Sequence, residues 1–567
     1  MQNRILFTII LILFLPGISH FEIIAQSRSF AGLPIMSFRP EGAFKYSGDL
    51  NHLPEYNRIL TIYEKLVDAK GDRRMPVPQL NLRGEVRHAA SMDYRLIEIS
   101  LEKKAYDVAD KYGDAAIAFL LAHELVHYYE KHGWRSQYAD AVSDLETGKI
   151  LENLNDRVVN EVQADVLGGF LAYSAGYGIF DKGGLLINDL YKEYKMDDNL
   201  SGYPSKKDRI ALSDRNKDQI AKLSYMYEMA GMLTVIGKYK EAYSYYGYLL
   251  NKYQSRELYN NAGLTCMMLA NSLLHKDSLK FDLPGVMDLE FSGARSSTSF
   301  DEINKLVNEA LTHFETSIIM NKTYLPAYIN KSSTLIIKAI NNTESNIRQI
   351  TLKTVSHILN EQWEELKILN PELDFEKYQD EIHILRSILA YFQNDIQTSK
   401  LLMAKAVDSG NETAKKNLAV LNESPITAHT PEKVTKISID NMTAEKFLTS
   451  QLVSRNLTMI DSLNIFRFMD RKNENYKFLT HEFKGNDQDL GYDLAFMVSK
   501  NTFTNPFLGE LKLGSDKKTV IDALGNPKRA ISHFNGEILN FNNSLIIITN
   551  QEGKVEKMID FEEILKP

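Results

Sequence analysis

The segment DAAIAFLLAHELVHYYEKH, residues 114–132, predicts the central helix of this chain. It is rich in Ala and Leu, which are strong helix formers. Asp114 suits the position that caps the start of a helix, and Gly133 suits its end. A second helix is predicted around the segment NEVQAD, residues 160–165.

The first of these helices carries His123-Glu124-Leu-Val-His127, the HExxH pattern. Residues four apart project from one face of a helix, so both imidazoles can reach one ion. Glu124 adjoins the first histidine, where its carboxylate can accept a proton from an attacking water molecule. The pattern therefore predicts one Zn²⁺ ion bound by His123 and His127, with Glu124 as general base. A structural helix with coincidental histidines is the alternative.

A catalytic zinc ion usually has a third protein ligand. Glu161 and Asp165 lie four residues apart on the second predicted helix and therefore share a face. Glu161 can bind the metal, and Asp165 can accept the remaining ring N–H of a ligand histidine. His132 is expected to be a surface residue near the end of the first helix, where its cationic form suits the helix dipole.

Taken together, the two motifs resemble those of gluzincin metallopeptidases of the HtpX and CAAX-prenyl-endopeptidase group, over roughly residues 40–215. The resemblance implies a mainly helical zinc peptidase domain. It assigns the metal ligands to His123, His127 and Glu161, and the general base to Glu124. Members with a helical-repeat tail, the BepA-like periplasmic proteins, resemble the predicted order of domains best.

One position departs from the family pattern. The segment from Tyr203 to Ile210 matches a family segment that reads His-Pro, four residues, then Arg-Ile, so Tyr203 stands where the family has His. Its hydroxyl could donate to a developing oxyanion, occupy the open zinc position and restrain activity, or simply pack against Pro204. Arg209 is either a second electrostatic helper or a structural ion-pair partner.

Upstream of the HExxH helix, residues 95–100 alternate in polarity and predict a strand. In gluzincins a strand near the active-site helix often aligns the substrate backbone by edge pairing, which favours extended peptide segments. An ordinary core strand is the alternative, and the two interpretations are compatible.

The pattern of residues 216–425 is almost wholly helical. Small and aromatic residues alternate at helical spacing, as Ala242 and Tyr246 do, and again Ala310 and Phe314. This is similar to the tetratricopeptide pattern, in which Ala lets paired helices approach and an aromatic side chain fills the gap. An irregular helical domain is the alternative. Residues 276–299, with Pro, Gly and Ser, are expected to interrupt the array.

In the last region, β-type runs return. A helix is predicted from Asp516 to Leu524, with Gly525 as its end. Strands are predicted at 538–541, 545–549 and 554–560, with a hairpin turn at 550–553. The part from about 508 to 562 resembles BamE-like modules of envelope proteins. It contains no catalytic constellation, and we expect a docking or dimerisation module.

The N-terminal residues are typical of a secretion signal. Arg4 gives a positive start, Ile5 to Leu15 form an apolar run broken only by Thr8, and Ala25 fits a cleavage position. The run is too short to span a bilayer as a helix. We therefore expect an exported protein with no transmembrane helix in the mature chain, either periplasmic, secreted or peripherally membrane-associated. An uncleaved interfacial anchor is the alternative.

The amino-acid composition bears on the kinds of partner and metal site that the chain can have. The formal net charge of -8 disfavours nucleic acid as a partner. The single cysteine, Cys266, excludes an intrachain disulfide and a cysteine-based zinc cluster, and it is expected to be buried.

The sequence thus predicts a multidomain α+β protein. Its parts are a signal peptide at 1–25, a zinc metallopeptidase domain at 26–215, tetratricopeptide-like α-hairpins at 216–425 and a small α/β module at 426–567. The expected function is a zinc-dependent endopeptidase of the bacterial envelope that cleaves unfolded or misassembled proteins, with the repeats recruiting substrates or assembly proteins. The alternative is a repeat-based chaperone or assembly scaffold whose peptidase domain is restrained or inactive.

Overall fold

The structure is a computed structural model of the chain. The residues that it describes are 47–85, 88–94, 96–133, 146, 157–199, 205–274, 279–287, 293–294, 300–423, 442–449, 457–458, 466–467, 475–483, 492–533, 536–541 and 544–565. Those within 47–131 and 157–565 belong to one compact unit. The fold is mixed α+β, as predicted. The predicted signal peptide lies outside the described residues.

A small sheet and a group of helices form the N-terminal part. The strands are β1 (Ser47–Asp49), β2 (Gln79–Glu85), β3 (Ala90–Asp93) and β4 (Glu98–Glu102), in the order β1-β2-β4-β3. β2 and β4 are parallel, and β1 and β3 are antiparallel to their neighbours. The helices are α1 (Pro54–Lys70), α2 (Lys103–Asp110), α3 (Asp114–Tyr129), α4 (Arg157–Ala172) with a π-helical turn at Tyr173–Tyr177, and α5 (Gly183–Glu193).

The HExxH segment forms helix α3, but both predicted ends need correction. Gly113 is the N-terminal cap residue, and the carboxylate of Asp114 instead pairs with Arg58 at 2.6 Å. The helix ends at Tyr129, since Lys131 adopts a left-handed backbone with φ 58°. The predicted end at Gly133 is therefore wrong.

Helices α3 and α4 touch backbone to backbone. Ala164 is fully buried between them. A Cβ atom added to Gly168 would lie 2.9 Å from the backbone nitrogen of His123. Small residues on α4 therefore set the distance between the two helices that carry the candidate metal ligands.

A long helix connects the N-terminal part to the helical array. Helix α6 (Lys206–Ile236) starts at Ser205, whose hydroxyl accepts from the Asp208 amide at 3.1 Å. It ends at Gly237, which has φ 79°. The helix is continuous across residues 215 and 216, where the sequence predicts a domain boundary.

The helices that follow are α7 (Tyr239–Leu250), α8 (Arg256–Leu273), α9 (Phe300–Met320), α10 (Leu325–Asn341), α11 (Ser345–His357), α12 (Trp363–Leu369), α13 (Gln379–Phe392), α14 (Ile396–Asp408) and α15 (Glu412–Leu421). They form an array in which consecutive helices pack together from α6 to α11 and from α13 to α15. The Phe314 ring packs closely on Gly263, because a Cβ atom added to Gly263 would lie 2.8 Å from that ring. Cys266 is buried, as predicted.

The predicted interruption of the array contains an extended segment, residues 279–287. Strand β6 (Val286–Met287) lies within this segment. Two further short strands, β5 (Gly237–Lys238) and β7 (Gly293–Ala294), pair with each other in parallel. The Asn330 side chain accepts from the Val286 amide and donates to the Val286 carbonyl, each at 2.7 Å. Asn417 makes the same pair of contacts with Asp282 at 2.8 Å.

The elements of the C-terminal part are α16 (Ala444–Thr449), β8 (Leu457–Thr458), β9 (Phe466–Arg467), β10 (Tyr476–Phe483), β11 (Tyr492–Ser499), α17 (Lys517–Leu524), β12 (Arg529–His533), β13 (Gly536–Phe541), β14 (Leu545–Asn550) and β15 (Val555–Leu565). Seven described strands form one sheet in the order β10-β11-β15-β14-β13-β12-β6, and β8 pairs with β9 separately. The predicted helix, its end at Gly525 and the three predicted strands are confirmed. The pairing of β6 with β12 was not expected from sequence.

Candidate metal centre

Two histidine rings and one carboxylate meet between helices α3 and α4. The Nε2 atoms of His123 and His127 lie 3.0 Å apart. Glu161 places Oε2 3.4 Å from His123 Nε2 and Oε1 3.5 Å from His127 Nε2. Within the described residues, this is the only group of three or more His, Cys, Asp or Glu side chains whose ligand atoms all lie within 4.8 Å of one another. The group could hold a metal ion.

A hydrogen bond from its other ring nitrogen fixes the orientation of His123. Its Nδ1 lies 2.9 Å from Oδ1 of Asp165, which is buried at 4% exposure. Because a carboxylate accepts hydrogen bonds, this contact puts a proton on Nδ1 and turns Nε2 toward Glu161. Asp165 thus occupies the supporting position that the sequence predicts for it.

Arg209, near the start of α6, reaches the same two carboxylates. Its Nη2 lies 3.6 Å from Glu161 Oε2 and 3.9 Å from Asp165 Oδ1. It therefore offsets part of the negative charge of the pair. This position corresponds to the ion-pair partner that the sequence analysis offers as one of two roles for Arg209.

Glu124 lies beside the group, partly buried on the side of strand β3. Burial, supported by the charge of Glu161, raises the pKa of its carboxyl to about 7. The charges of His123 and Arg209 and a hydrogen bond from the Met92 amide oppose this increase. A pKa near neutrality suits a group that must accept a proton and later donate it.

The pKa values of His123 and Glu161 are shifted in opposite directions. Burial lowers the pKa of His123, but hydrogen bonds to Asp165 and Glu161 outweigh burial and raise it to about 10. Burial raises the pKa of Glu161, but the hydrogen bond to His123 and the charges of both histidines and Arg209 lower it to about 2. A metal ion that binds His123 would therefore have to displace a tightly held proton.

The predictions for Tyr203 and His132 are not confirmed: one stays untested and the other is wrong. Tyr203 lies outside the described residues. His132 is only 3% exposed, so the expectation that it lies at the surface is wrong. One contact was missed by the sequence analysis: the Tyr94 hydroxyl donates to the backbone carbonyl of His127 at 2.7 Å and so steadies the second ligand. No local pattern marks Tyr94, since the contact exists only after folding.

The predicted strand at 95–100 is displaced. Ile97 has a left-handed φ of 52°, so the observed strand β4 starts at Glu98. β4 is paired on both sides, and β1 and β3 are the two outer strands of the described sheet. Of these two, β3 packs against helix α3, as β4 does less extensively. The outer strand of the described sheet beside helix α3 is therefore β3, not the predicted segment.

Comparison with protein-family models and with curated proteins gives no match. Among the residues that the structure describes, no helix combines the length and apolar character needed to cross a membrane.

Proposed function

We propose that this chain is a zinc-dependent endopeptidase whose metal is bound by His123, His127 and Glu161. The observation that carries the proposal is the convergence of their donor atoms, at 3.0, 3.4 and 3.5 Å from one another. Zinc bonds of ~2.0–2.1 Å in a tetrahedral arrangement separate donors by roughly 3.3 Å. Two imidazoles and one carboxylate also leave the fourth position open, as catalytic zinc sites do.

The chain's own residues divide the chemistry between them. Bound zinc would act as a Lewis acid on the peptide carbonyl and lower the pKa of water in the open position. Glu124, with a pKa of about 7, accepts the proton of the attacking water and passes it to the leaving amine. Asp165 holds His123 in the tautomer that ligation requires. Arg209 places a positive charge beside Glu161 and Asp165.

The resemblance to gluzincins with a helical-repeat tail supports a role in the bacterial envelope. On this proposal the mature protein acts on unfolded or misassembled proteins after export. The helical array, as tetratricopeptide-like hairpins, recruits substrates or assembly proteins, and the BamE-like module serves docking.

The test compares wild type with Glu124→Gln, using casein cleavage and zinc content as readouts. We expect wild type to cleave casein and contain about one zinc ion per chain, and the variant to keep its zinc while losing cleavage about a thousandfold or more. Glu64→Gln, a change at an exposed glutamate of α1, is the matched control and leaves both unchanged.

The alternative function, a chaperone or scaffold, predicts a different result in the same two assays. Zinc-loaded wild type that cleaves nothing favours a chaperone or scaffold with a restrained peptidase domain. Purified protein that takes up no zinc contradicts the metal site itself.

A further inference from the structure

A second concave site lies far along the chain from the metal ligands, where the last helices of the array meet the C-terminal sheet. It is a cleft of about 460 Å³. That volume falls within the ~300–1,000 Å³ of ordinary ligand sites. Its walls come from α13 and the turn before it, the loop between α14 and α15, the start of α17, the neighbouring ends of β12 and β13, and the turn at 550–553.

The walls are held together by contacts that do not fill the cleft. Lys416 of α15 donates to the backbone carbonyls of Pro527 and Lys528, each at 3.0 Å. Lys517 of α17 donates to the Gly410 carbonyl at 3.2 Å. These contacts join the array to the sheet, and the last of them connects two residues that line the cleft.

Negative charge dominates the lining. Two lysines, Lys377 and Lys517, face a larger set of carboxylates, and Lys517 is already paired with Glu537. The carboxylates that line the cleft are Asp374, Asp380, Glu381, Glu537 and Glu552. When all five carboxylates are ionised, they exceed the two ammonium groups by three negative charges.

Glu381 is the lining residue that lacks a full set of partners. It is only 4% exposed. One carboxylate oxygen accepts from the Ser532 hydroxyl, while Oε2 has no hydrogen-bond partner among the described residues. Burial, with the charges of Asp380 and Glu537, raises its pKa to about 7. A buried carboxylate with a free acceptor is costly unless a donor or a cation meets it.

The arrangement of the acids distinguishes between kinds of cation. A metal ion needs several ligand atoms around one point, and among the described residues only the cluster on α3 and α4 provides that. The acids of the cleft are instead spread over its walls. A guanidinium group carries five N–H donors and an ammonium group three, so an organic cation can contact carboxylates spaced in this way.

We propose that this cleft binds an organic cation, a guanidinium or primary ammonium group, with Glu381 as its buried recognition carboxylate. The site goes beyond the proposed peptidase function and shares no residue with it. Such a cation is presented either by an arginine side chain of a polypeptide or by a free polyamine, and both offer the same chemistry to the cleft.

The experiment uses the full chain and isothermal titration with three probes. They are a capped pentapeptide with one central arginine, the same peptide with neutral citrulline in its place, and spermidine. We expect the arginine peptide or spermidine to bind and the citrulline peptide to bind at least about tenfold more weakly. Binding of the peptide alone identifies a polypeptide as the source, and binding of spermidine alone identifies a free polyamine.

Two variants and a control connect binding to the cleft. Glu381→Gln keeps the size of the side chain and an acceptor for Ser532, and we expect it to weaken cation binding at least about tenfold. Glu537→Gln, a second change in the same lining, should have the same direction of effect and serves if the first variant does not fold. Glu365→Gln, at an exposed position outside the cleft, should bind like wild type. Wild type that binds none of the probes, or a folded Glu381→Gln with unchanged affinity, overturns the proposal.

Discussion

At the scale of single residues, the metal centre and the cleft both place carboxylates in surroundings that alter their proton affinity. Glu161 has its pKa lowered to about 2 because cationic partners outweigh its burial. Glu381 has its pKa raised to about 7 because burial dominates and its charged neighbours are acids. The two glutamates thus have pKa values shifted in opposite directions by their surroundings, and each shift leads to a prediction.

The first prediction concerns zinc affinity and pH. Zinc needs a neutral imidazole, and His123 in the metal-free cluster has a pKa of about 10. Each zinc ion must displace that proton, so affinity should rise about tenfold per pH unit from pH 6 to pH 8. Competition with a chromophoric chelator measures it. A histidine with its ordinary pKa of ~6.5 would give nearly constant affinity above pH 7.

A control variant isolates the cause. The hydrogen bond to Asp165 is the largest contribution that raises the pKa of His123. Asp165→Asn should therefore flatten the dependence on pH above pH 7. An affinity for wild type that does not change between pH 7 and pH 8 contradicts the protonated cluster.

The second prediction concerns the stability effect of Glu381. Its pKa rises from 4.5 to about 7 on folding, so the folded state binds the proton more tightly than the unfolded chain. Stability from this group is present below pH 4.5 and is lost as pH rises through 7, by on the order of 3 kcal/mol. Glu381→Gln does not ionise, so it should gain stability relative to wild type between pH 4.5 and pH 8. Denaturant titrations at both pH values measure this, and an equal difference at both contradicts it.

At the scale of secondary-structure elements, the metal centre depends on how closely α4 approaches α3. A side chain at Gly168 would meet backbone atoms of His123 and Ala122 at 2.9 to 3.1 Å. Backbone cannot move aside as a flexible side chain can, so the helices would have to separate. Glu161 is on α4 and both histidines are on α3, so the separation would widen the ligand group.

The third prediction follows from this contact. Gly168→Ala should weaken zinc binding by about tenfold and destabilise the metal-free protein by about 1–3 kcal/mol. Chelator competition and denaturation in EDTA measure the two effects. Gly247→Ala is the matched control, because a Cβ atom there meets nothing within 4 Å. Gly247→Ala should leave zinc binding unchanged and increase the free energy of unfolding by at most about 1 kcal/mol. Equal zinc affinity and equal stability of Gly168→Ala and Gly247→Ala would contradict the tight contact at Gly168.

At the scale of the whole molecule, the extended segment at 279–287 joins the helical array to the C-terminal sheet. Val286 and Met287 are fully buried, and β6 pairs in parallel with β12. Asn330, itself fully buried, satisfies both backbone groups of Val286. A region that the sequence marks as an interruption of the repeats therefore becomes part of the largest described sheet.

The fourth prediction tests this connection. Asn330→Ala removes the partner of the Val286 amide and one partner of its carbonyl, and it should lower the free energy of unfolding by about 3 kcal/mol. Asn341→Ala, in the same helix, loses only an exposed hydrogen bond to Asn304 and should change stability by less than about 0.5 kcal/mol. Guanidinium titrations compare the two. Equal midpoints would show that Asn330 does not hold the segment.

The local features could be predicted from the amino-acid sequence alone. They are the helix that carries HExxH, the second helix with Glu161 and Asp165, the burial of Cys266, and the hairpin strands near the C terminus. These follow from spacing and propensity within a few residues, which short-range geometry fixes. Four features emerged only from the folded chain. Helices α3 and α4 meet at Gly168, and β3 rather than the predicted segment is the outer strand beside α3. Residues 279–287 join the C-terminal sheet, and Glu381 is buried in an acidic cleft. Each of these depends on residues distant in the chain coming together, and no local pattern encodes which distant partner a surface will meet.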